Sequence, residues 1–362
     1  MEIKEYKCPN CGGAVKFNSA SQSMKCPFCD TEFEIAALEE YQKEIAVQTK
    51  DNYGWNTGSI GKEWEGAELD DLSQCACPSC GAEILGDANT VAMVCPNCGN
   101  SQIVSKRLTG MLKPDYVIPF QLDKKTATQA LKDFYKDKRL LPDFFKEENR
   151  VNSIQGIYLP FWLFDAKAQG HINYKATKVK TWSDAKYHYT KTDQYAVLRD
   201  GSMAFEKIPV DGSERMDDAY MDAIEPFNYA QMQEFKTAFL SGYPAEKYDV
   251  DAEKSKPRAE ERIKNSIEAE FRKSVTGYVT VKTESSSVTV TDGKMSYALF
   301  PVWILNTKYK KQNYLFLMNG QTGRLIGKLP VDTGKFIKYL SLFSGGIGVV
   351  LTVIIQLLRI FL

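Results

Sequence analysis

The chain has 362 residues, 43% of them hydrophobic and 25% charged, and its 46 basic side chains balance 46 acidic ones. That length and mixture exclude a disordered or low-complexity chain, and the zero net charge excludes a uniformly basic one. The balance is uneven, because residues 1–110 hold 16 Asp and Glu against 9 Lys and Arg, and the remainder carries the compensating basic excess.

The chain opens without an apolar leader, which predicts that its N-terminal part stays in a reducing cytoplasm. Two short cysteine knuckles follow, Cys8-Pro9-Asn10-Cys11 and Cys26-Pro27-Phe28-Cys29. Both recur 69 residues later as Cys77-Pro78-Ser79-Cys80 and Cys95-Pro96-Asn97-Cys98, with the same 14-residue gap inside each pair. Each knuckle aims two thiolates at one point, and two knuckles held by a small sheet close a tetrahedron around Zn²⁺. The expected metal ligands are therefore Cys8, Cys11, Cys26 and Cys29 in one site and Cys77, Cys80, Cys95 and Cys98 in the other. Disulfides or an iron site are the other chemistries the spacing allows. A complete four-thiolate set leaves no open coordination position, so two structural zinc ions are expected rather than a catalytic one. Cys75 falls outside the spacing and reads as a spare thiol.

In chain order, residues 1–33 read as a first ribbon with strands at 14–17 and 31–35. Residues 34–74 read as an acidic amphipathic helix, with Ile35, Leu38, Tyr41 and Ile45 at helical spacing, and then a linker. Residues 75–107 read as a second ribbon with strands at 83–85 and 90–94. Residues 111–334 read as an α+β domain that is internally duplicated, with halves near 111–215 and 216–334. Each half runs from Pro-Phe through a helix and a Pro-aromatic strand to Lys-x-Pro-Val-Asp, ending at Asp211 and Asp332. Asp200-Gly201, Asp292-Gly293 and Asn319-Gly320 are expected at hairpin turns. Pro257 is expected to open a charged helix over 257–275, with Ala259, Ile263, Ile267 and Phe271 on its buried face. Trp162 and Trp303 lie in apolar alternating runs and read as core.

Residues 339–358 contain no charge, and a helix of that length spans roughly 30 Å, the hydrocarbon thickness of a bilayer. Residues 336–362 thus read as a transmembrane anchor. Residues 301–340 hold seven Lys and Arg against Asp332 alone, which predicts that everything before the helix faces the cytoplasm. Lys308, Lys310, Lys311, Arg324, Lys328, Lys335 and Lys338 serve topology alone or also touch anionic headgroups. Ser341/Gly345 and Ser344/Gly348 are small-residue pairs compatible with self-association.

Catalytic signals are sparse. The two histidines, His171 and His188, sit in β-rich segments, and no phosphate-cradling glycine loop lies between a strand and a helix. The acidic N-terminal third favours a protein partner over nucleic acid, since phosphate contacts supply most non-specific affinity for nucleic acid.

The tandem ribbons, the run Leu159-Pro160-Phe161-Trp162-Leu163-Phe164-Asp165, and the run Met318-Asn319-Gly320-Gln321-Thr322-Gly323-Arg324 before a C-terminal apolar helix resemble one bacterial family. Its members are Gram-positive double zinc-ribbon membrane proteins with ribbons of the transcription-factor-IIB type, some encoded beside phage-shock-protein-A-like and flotillin-like envelope-stress proteins. The resemblance implies a non-enzymatic membrane adaptor that recruits cytosolic or membrane partners. The alternative is a membrane-tethered nucleic-acid-binding regulator.

Overall fold

The structure is a computed structural model that describes residues 6, 8–10, 13–19, 21–46, 51–56, 60–64, 72–87, 94–100, 104–106 and 111–361. The fold is a mixed α+β architecture, as the sequence leads one to expect. The chain forms two compact units, each assembled from three separated segments.

One unit comprises Met1–Ser59, Leu163–Val210 and Lys256–Met295. Its N-terminal ribbon is a three-stranded antiparallel sheet of Lys16–Asn18, Ser23–Lys25 and Glu32–Phe33. The helix Ile35–Ala46 follows and turns Leu38 onto Val15 and the cysteines. The unit's larger core gathers Ile172, Tyr174 and Val197 with Val288 and Val290, and closes them under Ile263 and Ile267 of the helix Ala252–Ser274. Those two isoleucines are fully buried, each contributing about 1.5–3 kcal/mol of apolar transfer.

Pro257 does not open that helix. The helix begins at Ala252, where Asp251 accepts the Lys254 N–H at 2.8 Å as an N-cap. A side chain that satisfies an orphan donor sets the start, and the helix then runs through Pro257 at its sixth position, forgoing the one intrahelical bond that its missing N–H would have made.

Residues 52–55, expected within a linker, form the strand Asn52–Trp55 parallel to Thr280–Tyr309. Four contacts fix it. Asp51 accepts the Val288 N–H and pairs with Lys264 at 2.7 Å, and the Trp55 indole donates to Glu260 while standing edge-on to Phe164.

Two of the three expected hairpin turns lie inside strands. Asp200-Gly201 falls within His188–Asp211 and Asp292-Gly293 within Thr280–Tyr309. Both glycines serve close approach instead. A Cβ at Gly201 would meet the Phe271 ring at 3.1 Å, and one at Gly293 would meet Trp55 at 2.4 Å. The turn after Gln155–Ser183 is made by Asp184, whose side chain accepts the N–H groups of Lys186 and Tyr187.

The other unit comprises Ile60–Trp162, Asp211–Ser255 and Ser296–Leu362. Its helix Lys124–Lys136 is capped by Asp123 and buries Ala127, Leu131 and Tyr135, one every fourth residue. They pack with Phe145, Trp303 and Phe316 in one core. Trp162 and Trp303 are 1% and 2% exposed, and their indole N–H groups donate to the Val250 and Leu122 carbonyls. Thr280–Tyr309 and Gln312–Asn319 pair antiparallel from Val302↔Asn319 to Tyr309↔Gln312. Lys310 and Lys311, both at positive φ, form the two-residue turn between them.

Asn319-Gly320 does sit at a turn, leading to the strand Leu325–Gly327. Asn319 is fully buried. Its amide donates to the Ile224 and Pro226 carbonyls and its oxygen accepts the N–H groups of Gln321 and Thr322. Gln321 clasps the backbone of Asn228 in both directions. The Met-Asn-Gly-Gln-Thr-Gly-Arg run is thus a latch that ties this hairpin to residues 224–228.

The helix Thr333–Phe361 closes the chain, and Asp332 caps it by accepting the Lys335 N–H at 2.9 Å. The span Thr333–Arg359 is long and apolar enough to cross a membrane, and none of it is buried against the rest of the protein.

Candidate metal centres

The knuckles share one backbone device. In each, the N–H of the leading cysteine donates to the carbonyl five residues on: Cys8 to Gly13, Cys26 to Thr31, Cys77 to Ala82 and Cys95 to Asn100, at 2.7–2.9 Å. The residue after the second cysteine, where described, has positive φ: Asp30, Gly81 and Gly99. Glycine takes that conformation without a Cβ penalty, so the Gly following Cys80 and Cys98 belongs to the motif as much as the proline does.

In the second ribbon all four thiols converge. Cys77, Cys80, Cys95 and Cys98 place their sulfurs within 4.8 Å of one another, with Cys77 and Cys98 3.6 Å apart and Cys80 and Cys95 3.5 Å apart. A tetrahedron of sulfurs around zinc, with Zn–S bonds of about 2.3 Å, has edges of about 3.8 Å. The donor set fits such an ion. Cys95 is nearly fully buried, and burial pushes its thiol well up. Burial also raises the Cys80 thiol, while Cys77, despite its own burial, is brought down to about 7 by the N–H groups of Cys80 and Ser79. An ion entering this site displaces protons from buried thiols, so its affinity falls with acidity.

In the first ribbon Cys8, Cys26 and Cys29 form the corresponding group, with Cys8 and Cys29 3.6 Å apart. Cys11, the expected fourth ligand, lies outside the described residues, as do residues 90–93 of the strand expected at 90–94. Cys75 lies in the strand Leu72–Ala76 and joins neither cluster.

Different neighbours support each cluster. Lys175 donates to both the backbone carbonyl and the side-chain oxygen of Asn10, inside the first knuckle. The apolar packing there is Leu38, Val15, Met24 and Phe33. The second ribbon has a buried polar brace that sequence patterning did not expose. Arg215 donates to the carbonyls of Cys80 and Gly81 and also pairs with Asp249. Its second carboxylate neighbour is Glu246 at 3.7 Å, which is fully buried and accepts the Asn97 side-chain N–H at 2.9 Å. Burial raises the Glu246 carboxyl to about 7, against the opposing pull of Asn97 and Arg215. Isolated charges in a mixed segment carry no spacing signal that would mark Arg215 or Glu246. The adjoining strand pairing Ala245↔Leu85 is what brings them to the knuckle.

The histidines do not join a cluster. His171, half-buried, meets Asp200 at 2.5 Å, and His188 meets Ser183 on exposed strand surface.

No family model matches the chain, and no solved structure matches it. It is 34% identical over 344 residues to the uncharacterized protein YdjG of Bacillus subtilis (strain 168), an alignment that covers 95% of each chain. The chain belongs to the same family as YdjG.

Proposed function

We propose that this protein is a membrane-anchored, non-enzymatic adaptor. Its two cysteine clusters hold structural zinc, and its first ribbon docks a protein partner on the cytoplasmic side. The carrying observation is the surface of that ribbon. Phe28, at the tip of the second knuckle, is 74% exposed, and Phe17 on the neighbouring strand is 52% exposed. Exposed phenylalanines on a small metal-folded module are the kind of anchor that protein interfaces bury. The acidic balance of residues 1–110 supports a protein partner over nucleic acid. The terminal apolar helix supports an anchor, and the Lys and Arg before it support a cytoplasmic orientation. A role in envelope stress, with a phage-shock-protein-A-like or flotillin-like partner, follows from the family resemblance and is part of the same proposal.

The test is capture of partners from lysate by the full-length protein in detergent. The full chain is needed because residues 1–59 complete their unit only with 163–210 and 256–295. Retention that is lost both on chelation and in F17A/F28A supports docking. Retention that ignores both changes overturns it, and salt-sensitive retention of nucleic acid would favour the regulator instead.

A further inference from the structure

The basic residues near the apolar helix form more than a sequence run. A cavity of about 470 Å³ at the foot of that helix is lined by Lys335, Lys338, Tyr339 and Leu342, together with Lys136, Arg139 and Lys146. The last three lie some 200 residues earlier in the chain, on and after the helix Lys124–Lys136. Five of the seven lining side chains are cationic and none is acidic. The nearby acid, Asp143, is engaged by Lys335 at 2.6 Å, which holds its carboxyl below the usual range. Lys335 also donates to the Leu141 carbonyl, and the Asp332 N–H donates to the Leu140 carbonyl at 2.8 Å. These bonds fix the start of the apolar helix against residues 140–143 and so hold the two groups of cations around one space.

Tyr339 and Leu342 begin the uncharged run of the helix, so one wall of the cavity continues into the apolar surface. A cationic pocket that opens onto a membrane-crossing face matches one class of molecule, an anionic phospholipid. Its phosphate would sit among the cations and its acyl chain would run along Leu342. We propose that this cavity binds the headgroup of an anionic phospholipid, with Arg139, Lys146 and Lys338 as its principal contacts. Lys335 is a positioning residue, because its ammonium is already committed to Asp143 and Leu141.

The inference rests on the reading of Thr333–Phe361 as an anchor, and that reading has its own check. If alkaline carbonate extracts the protein from membranes, the anchor fails, whatever the lipid result. The headgroup site is tested by native mass spectrometry of the full chain in detergent, titrated with phosphatidylglycerol or phosphatidylcholine. The wild type is expected to retain phosphatidylglycerol preferentially. At roughly fivefold per cation near a lipid surface, R139Q/K146Q/K338Q should weaken that retention about a hundredfold. The matched variant K308Q/K310Q/K311Q, which removes the same charge outside the cavity, should keep it. Equal loss in both variants, or equal retention of phosphatidylcholine, overturns the site. Displacement of the lipid by inorganic phosphate at matching concentration also overturns it, since the cavity would then hold a soluble anion.

Discussion

The two cysteine clusters are near copies in sequence and differ in what surrounds them. Each is built from Cys-Pro-x-Cys turns closed by the same backbone hydrogen bond. The first leans on apolar packing and a single lysine, Lys175, and leaves Phe17 and Phe28 facing solvent. The second is set in a sheet, with strands Leu72–Ala76 and Glu83–Asp87 paired through five residues, and is braced by Arg215 and the buried Glu246. Under the proposed function, one cluster serves display and the other foundation. A duplicated motif reveals its chemistry through spacing, whereas its role is set by the residues packed against it.

Removing ligands should separate the two most sharply. C77S/C80S is expected to halve the zinc content and unfold the second ribbon, because metal binding of order 10 kcal/mol folds such modules. C26S/C29S should also halve the zinc while lowering the melting temperature less, which metal analysis and calorimetry would show. Next in size is R215A. It strips the Cys80 and Gly81 carbonyls of their donor and leaves two carboxylates unpaired, for a loss of about 3–5 kcal/mol in chemical denaturation. A loss under about 1 kcal/mol would show that the brace is idle and that the two clusters are supported alike.

Glu246 provides a pH signature for the second cluster alone. Its carboxyl is raised in the folded state from 4.5 to about 7, so the folded protein holds that proton more tightly than the unfolded chain does. Its contribution is fully present below the unfolded value and is lost as pH rises through about 7. The stability of wild type relative to E246Q should therefore fall by about 2 kcal/mol between roughly pH 5 and pH 8. A flat difference would mean that Arg215 keeps the carboxylate ionised throughout. For the first cluster, K175M removes two hydrogen bonds to Asn10 and should cost about 1.5–3 kcal/mol. It should also speed zinc transfer to a chelator from that site only. Smallest in stability is F28A, expected within about 1 kcal/mol of wild type because the ring is mostly exposed, although it should abolish partner capture.

Much of this was legible in the chain itself. Cysteine spacing needs no tertiary knowledge, because the knuckle is a local turn, and the uncharged run at 339–358 announces its helix by length alone. The buried face of the helix Ala252–Ser274 showed in the four-residue spacing of Ala259, Ile263 and Ile267. What stayed hidden depended on distant partners. Gly201 and Gly293 look like turn residues until Phe271 and Trp55 are seen to occupy the space a Cβ would need. The strand Asn52–Trp55 is too short and too polar to declare itself, and exists because Asp51 and Trp55 find Val288 and Glu260. Glu246 and Arg215 are ordinary surface residue types until a strand pairing buries them.

The segmented make-up of the first unit has a consequence during synthesis. Its ribbon leaves the ribosome early, yet the segment starting at Lys256 that completes the unit is made about 200 residues later. At bacterial elongation speeds of roughly 5–20 residues per second, that is a wait of about 10–40 seconds. Lys175 joins only partway through that interval and the helix Ala252–Ser274 only at its end, so under the proposed zinc reading bound metal is the strongest force available to hold the nascent ribbon meanwhile. Metal supply at the moment of translation, rather than afterwards, would then govern how much of this protein matures correctly.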